Sequence, residues 1–134
     1  MIFMKWSSKY EVGIPEMDAQ HKHWIELLNA FCEGLEEQAM KLHLINLLYE
    51  TINYTLYHFS EEERLMQNIG YPSLNDQKKL HTELYRTIES LRDKIARDEP
   101  VVPKTVTKEL KNWFNYHLLI EDKKYVELYN RIKT

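Results

Sequence analysis

Glycine is scarce in this chain of 134 residues, which has only three, and no Gly-rich phosphate-cradling loop can be assembled from Gly13, Gly34 and Gly70. Cysteine is scarcer still. Cys32 stands alone, which excludes an internal disulfide, and its place on an apolar helix stripe reads as that of a small buried hydrophobe. No apolar run approaches the roughly 18 residues of a membrane-spanning helix. The net charge is -3 with the signs mixed, so there is no basic stripe for nucleic acid and no polybasic cluster for a membrane surface. Strand-like alternation, internal repeats and low-complexity segments are all missing. The opening Met1-Ile2-Phe3-Met4-Lys5-Trp6 is too short and too mixed for a signal peptide. The expectation is a soluble, cytoplasmic, monomeric protein without nucleic-acid or membrane partners, of a length that suits one domain over 1–134.

What the chain has in quantity is helical periodicity. Residues 1–14 read as an extended arm that ends at Pro15, a residue suited to a first helical turn. A first helix follows at about 17–37, with the stripe His21, Trp24, Ile25, Leu28, Phe31, Cys32 and Leu35. Gly34 is a weak stop signal, and a turn is placed near 38–41. The second helix spans about 41–68, with Leu44, Leu47, Leu48, Thr51, Thr55, His58, Glu62, Leu65 and Ile69 on one face. It stops at Gly70-Tyr71-Pro72. Ser73 is positioned to cap a third helix at 74–97, with the stripe Leu74, Gln77, His81, Leu84, Ile88, Leu91 and Ile95. The fourth, about 104–130, shows Val106, Leu110, Trp113, His117, Ile120, Lys124 and Leu128, in which Lys124 is discordant. Four such helices with short connections pack as an all-α, antiparallel, up-down-up-down four-helix bundle.

The inward stripes carry unusual cargo. His58 and Glu62 stand one turn apart on the second helix, and a buried unpaired carboxylate is costly, so something must meet Glu62. Of six histidines, His21, His58, His81 and His117 fall on inward stripes, one per helix, while His23 and His43 face outward. In antiparallel order His21, His58 and His81 meet at one end of the bundle, and His117 comes within reach of that level. Imidazoles with one or two carboxylates suit iron or zinc. The fourth helix offers a second carboxylate, Glu121 or Asp122. Plain spacing favours Glu121, because Asp122 is rotated by roughly 140° from His117 unless the helix widens locally, as in a π-bulge.

These pieces resemble the bacterial hemerythrin family. The resemblance rests on Trp6, Val12-Gly13-Ile14, Asp18-Ala19-Gln20-His21, His58-Phe59-Ser60-Glu61-Glu62 with Leu65-Met66, Gly70-Tyr71-Pro72, His81, and Trp113-Phe114-Asn115-Tyr116-His117 with Asp122. It covers essentially the whole chain and implies the same fold, myohemerythrin being itself a known up-down bundle. It further implies two iron ions with a bridging oxo or hydroxo group. His21 and His58 would hold one iron, His81 and His117 the other, and Glu62 and Asp122 would bridge them. The resemblance thus picks Asp122, leaving Glu121 as the rival carboxylate. One departure stands out: the family's His-x-x-x-His on the third helix here reads Gln77-Lys78-Lys79-Leu80-His81. Gln77 is then a weak ligand, or its place is taken by water, or the second iron is held loosely.

The function so implied is reversible dioxygen binding, as carrier, store or sensor, at an open position on the iron of His21 and His58, with no catalytic residues. Ile25, Phe59, Trp113 and Leu118 are candidate walls of an apolar ligand pocket. Two alternatives are set beside it. A further open iron position at Gln77 would suit a diiron enzyme acting on peroxide, nitric oxide or oxygen. A mononuclear or metal-poor bundle is the other.

Overall fold

The computed structural model describes residues 4–133; the first three positions of the expected arm lie outside the described residues. Helix α1 runs Pro15–Glu36, α2 Lys41–Asn68 and α3 Leu74–Ala96. The fourth rod is composite: α4 spans Pro103–Tyr116, a π-helical segment spans His117–Glu121, and α5 continues over Asp122–Lys133. α1 packs on α2 and α4, and α2 packs on α3, which gives the all-α four-helix bundle. Among the described residues there is no strand, and no helix is long and apolar enough to cross a membrane.

Local chemistry explains where the rods begin and end. Pro15 and Pro103 occupy first helical turns, where a missing N–H costs nothing. Gly70 takes φ +68°, and the Tyr71 N–H closes back on the Met66 carbonyl at 2.9 Å. That is a left-handed helix stop suited to glycine. Gly34 has a different role from the one its sequence position suggests. It lies inside α1, where a Cβ would meet Leu44 Cδ2 at 3.1 Å, so it serves close approach of α1 and α2. The stop falls instead at Gln38, in the left-handed region at φ 56°. Ser73 occupies the N-cap of α3 but makes no side-chain capping bond.

The arm is tied down rather than loose. It contains a short 3₁₀ turn at Ser8–Tyr10. Met4 exchanges two hydrogen bonds with the Asn29 amide, and Tyr10 OH donates to Asn115 Oδ1 at 2.9 Å. Asp18 accepts from the N–H groups of Val12 and Gly13. The buried side chains form two apolar clusters. The larger, which includes Trp24, Phe31, Leu48, Ile88 and Phe114, fills most of the bundle. The smaller, made of Val12, Ile14, Met17, Met66, Tyr125 and Val126, closes one end. The inward histidines and carboxylates lie in the layer between them.

The fourth rod corrects one expectation. Ile120 and Lys124 are exposed and Leu128 is only partly covered, whereas Leu118, Asp122, Tyr125 and Val126 are buried. The π segment inserts an extra residue into one turn, with the Asp122 N–H bonded to the His117 carbonyl five residues back. The apolar stripe therefore changes phase at His117. Lys124 is discordant with the simple helical stripe because that stripe no longer faces inward there.

Candidate metal centre

Six side chains from all four rods converge between the two clusters. His21, His58, Glu62 and Asp122 are 0% exposed, and His81 and His117 only 2% and 1%. His23 and His43 are exposed and play no part. The Glu62 carboxylate is central. Its Oε2 lies 3.5 Å from the Nε2 atoms of both His21 and His58. Its Oε1 lies 3.0 Å from His81 Nε2 and 3.3 Å from His117 Nε2. Asp122 is divided in the same way: Oδ2 is 3.3 Å from His21 Nε2, and Oδ1 is 2.9 Å from His117 Nε2. One oxygen of each carboxylate thus faces each pair of imidazoles.

The second carboxylate follows from the π segment. With the turn widened, Asp122 comes inward and Glu121 moves to the rim. There Glu121 accepts from Tyr116 OH at 2.8 Å and from Lys124 Nζ at 3.2 Å. The preference of plain helical spacing for Glu121 is thereby overturned.

Donor spacing and chemistry both fit cations. Ligands about 2.1 Å from a shared ion stand about 3.0 Å apart at right angles and about 3.4 Å apart at tetrahedral angles. His21 Nε2 and His58 Nε2 are separated by 3.1 Å. Among the described residues, two groups of metal-ligating side chains result, His21–His58–Glu62 and Glu62–His81–His117, which share Glu62. Both Asp122 oxygens are buried without an aligned hydrogen-bond donor, a costly state for a carboxylate that a cation would relieve.

The electrostatics of the cluster carry the same demand. Burial tends to lower the His21 and His117 pKa values, but contacts with Asp122 and Glu62 outweigh it and raise them to about 9 and about 10. His81 is raised by Glu62 and Glu63 against the same opposing burial, whereas burial prevails at His58 and lowers it. Burial would raise the Glu62 carboxyl, yet His58, His117 and His21 hold it well below the ordinary range. The buried Glu62 charge is thus balanced by protons on neighbouring imidazoles, and a cation would take the place of those protons.

Three functional partners carry no signal in the inward stripes. His58 Nδ1–H donates to Gln20 Oε1 at 2.8 Å, and His81 Nδ1–H donates to Glu63 Oε2 at 2.8 Å. Each bond turns Nε2 toward the site. Tyr125 OH donates to Glu62 Oε2 at 3.0 Å. The one available cue lay in local sequence, because Gln20 precedes His21, Glu63 follows Glu62, and Tyr125 is one turn past Asp122. If Gln20 fixes the His58 ring, Gln20→Ala weakens metal binding by ~10–100-fold without changing the helical circular dichroism. Competition with a chelator checks this, and unchanged affinity contradicts the role.

Aromatic and aliphatic groups wall the cluster. Phe59 stacks on His81 with ring centroids 3.7 Å apart, and Trp113 stacks on His117 at 4.7 Å. Ile25 and Leu118 are buried in the larger apolar cluster, while Trp113 is only partly buried. Gln77 is also buried, one turn before His81 on α3.

A four-helix bundle with a buried layer of histidines and shared carboxylates defines a class of metal-binding bundles. The family model described as the Hemerythrin HHE cation binding domain matches residues 12–129, and the chain belongs to the hemerythrin family. A bacteriohemerythrin of Pseudomonas paraeruginosa is 30% identical over 130 residues, covering 95% of this chain and 82% of the relative. One from Clostridium acetobutylicum is 27% identical, covering 91% and 98%. Among solved structures, a wild-type hemerythrin superposes with a TM-score of 0.83 at 25% identity, covering 93% of this chain and 96% of that one.

Proposed function

We propose that this chain is a non-haem diiron protein that binds dioxygen reversibly, as carrier, store or sensor, and is not an enzyme. The observation that carries the reading is the division of each carboxylate between two imidazole pairs. A carboxylate serving a single ion would not need its second oxygen aimed at another set of nitrogen donors. His21 and His58 would hold one iron, His81 and His117 the other, with Glu62 and Asp122 spanning both. A ferrous pair supplies reversible coordination of dioxygen when it is bound.

The chain's own residues supply the setting. Gln20 and Glu63 lock two imidazoles in the tautomer that presents Nε2. Tyr125 holds Glu62 in register through its hydroxyl. Trp24, Phe59, Phe114 and Leu118 exclude bulk water from the surroundings of the site.

The test is metal stoichiometry combined with optical spectra under anaerobic and aerated conditions. The expected result is two irons per chain and a visible band that appears in air and disappears when oxygen is removed. Fewer than two irons, or a band that cannot be reversed, overturns the reading.

A further inference from the structure

We infer that the Gln77 side-chain oxygen is a fifth protein donor at the His81–His117 position, biasing that position toward oxygen-preferring cations such as manganese(II). The inference rests on the dinuclear reading above. It starts from the orientation of one amide. Gln77 is 1% exposed, on the same face of α3 as His81 and one turn before it. Its Nε2–H donates to the Glu121 backbone carbonyl at 3.1 Å. A carbonyl only accepts, so the nitrogen must point there and the oxygen must point away. That oxygen, Oε1, is buried with no hydrogen-bond partner.

A buried amide without a partner for its oxygen is the exception in folded proteins. Here the exception sits beside the metal layer. Glu121 closes the π segment, and the next residue, Asp122, holds an oxygen 2.9 Å from His117 Nε2. The turn that brings Asp122 inward thus also holds the Gln77 amide nitrogen, one helical turn before His81 on α3. A cation held there would meet two imidazoles, an oxygen from each carboxylate and the amide oxygen. The His21–His58 position has two imidazoles and two carboxylate oxygens but no amide.

The donor change has a chemical direction. Imidazole favours iron, cobalt, nickel, copper and zinc, whereas carbonyl and carboxylate oxygens suit manganese and other hard cations. Replacing an imidazole by a neutral amide oxygen therefore narrows the usual disadvantage of manganese(II) at this position. It gives the two halves of the centre different preferences, so they can take unlike metals.

The experiment is an anaerobic equilibrium titration of the metal-free protein, separately with Mn2+ and Co2+. Bound Mn2+ is read by electron paramagnetic resonance and Co2+ by its visible bands. The unsubstituted chain should take up two ions of either metal. Gln77→His should tighten the second Co2+ by at least ~10-fold while moving the second Mn2+ less, and Gln77→Leu should weaken both by at least ~10-fold. Gln77→Glu keeps an oxygen donor but loses the N–H bonded to Glu121, and it should retain both ions. An unchanged Co2+-to-Mn2+ ratio in Gln77→His overturns the inference. So does equal loss in Gln77→Glu and Gln77→Leu, which would mean that Gln77 acts only by pinning the turn. Fewer than two ions on the unsubstituted chain overturns the dinuclear reading itself, and normal two-ion binding by Gln77→Leu overturns only the role of Gln77.

Discussion

Glu62→Ala yields a protein that purifies without iron. The side chain is wholly buried and, among the described residues, is the only group whose oxygens approach all four inward imidazoles. Its removal takes away the carboxylate shared by both ligand groups and leaves, among the described residues, Asp122 as the remaining carboxylate facing the Nε2 atoms of the inward histidines. The loss in affinity should exceed the ~10–100-fold that removal of an outer-shell partner costs. Glu62→Gln keeps the volume and one carbonyl oxygen, so it separates loss of charge from collapse of the site. It should also lose most of its metal while keeping the helical circular dichroism. Metal analysis of both variants after iron-replete expression decides the matter. A full complement of iron in Glu62→Ala would show that the histidines and Asp122 build the site without Glu62.

The second large effect is a contrast between neighbours. Asp122→Ala should abolish binding of the full metal complement, and Glu121→Ala should leave it unchanged. Asp122 is fully buried with its two oxygens 2.9 and 3.3 Å from His117 and His21. Glu121 faces Tyr116 and Lys124 at the rim, where exposed pairs contribute little to stability. Metal content per chain, measured side by side on the two variants, is the readout. Similar content in both would mean that the π segment does not select the carboxylate.

Much of this architecture could be read directly from residue types, and the reason differs from place to place. The end of α2 is legible because Gly70 alone among its neighbours takes a left-handed backbone cheaply. The inward histidines are legible because a helix repeats its faces, so one imidazole per stripe points to one layer. The π segment is not legible from spacing. Its hydrogen-bond shift is favoured by groups on other helices, namely the His21 nitrogen that faces Asp122 and the Gln77 amide bonded to Glu121. The only trace in the sequence is Lys124, a cation on what would otherwise be the apolar face. Gln20, Glu63 and Tyr125 escaped for a similar reason. Each meets its partner across a helix–helix boundary, and amphipathic periodicity reports which face is buried, not which atoms meet there.

The composite fourth rod also limits how this chain can change length. Its two helical halves differ in angular phase. Return of this turn to ordinary α pitch at unchanged length would rotate Tyr125 and Val126 outward and bring the charged Lys124 face onto the apolar floor of the bundle, whereas loss of one residue from the turn would remove the widening and keep Asp122, Tyr125 and Val126 facing inward. Surface loops in a bundle absorb such slips readily. Here a single codon inserted between Asp122 and Tyr125 would turn Tyr125 and Val126 away from the bundle and unseal that end of the molecule.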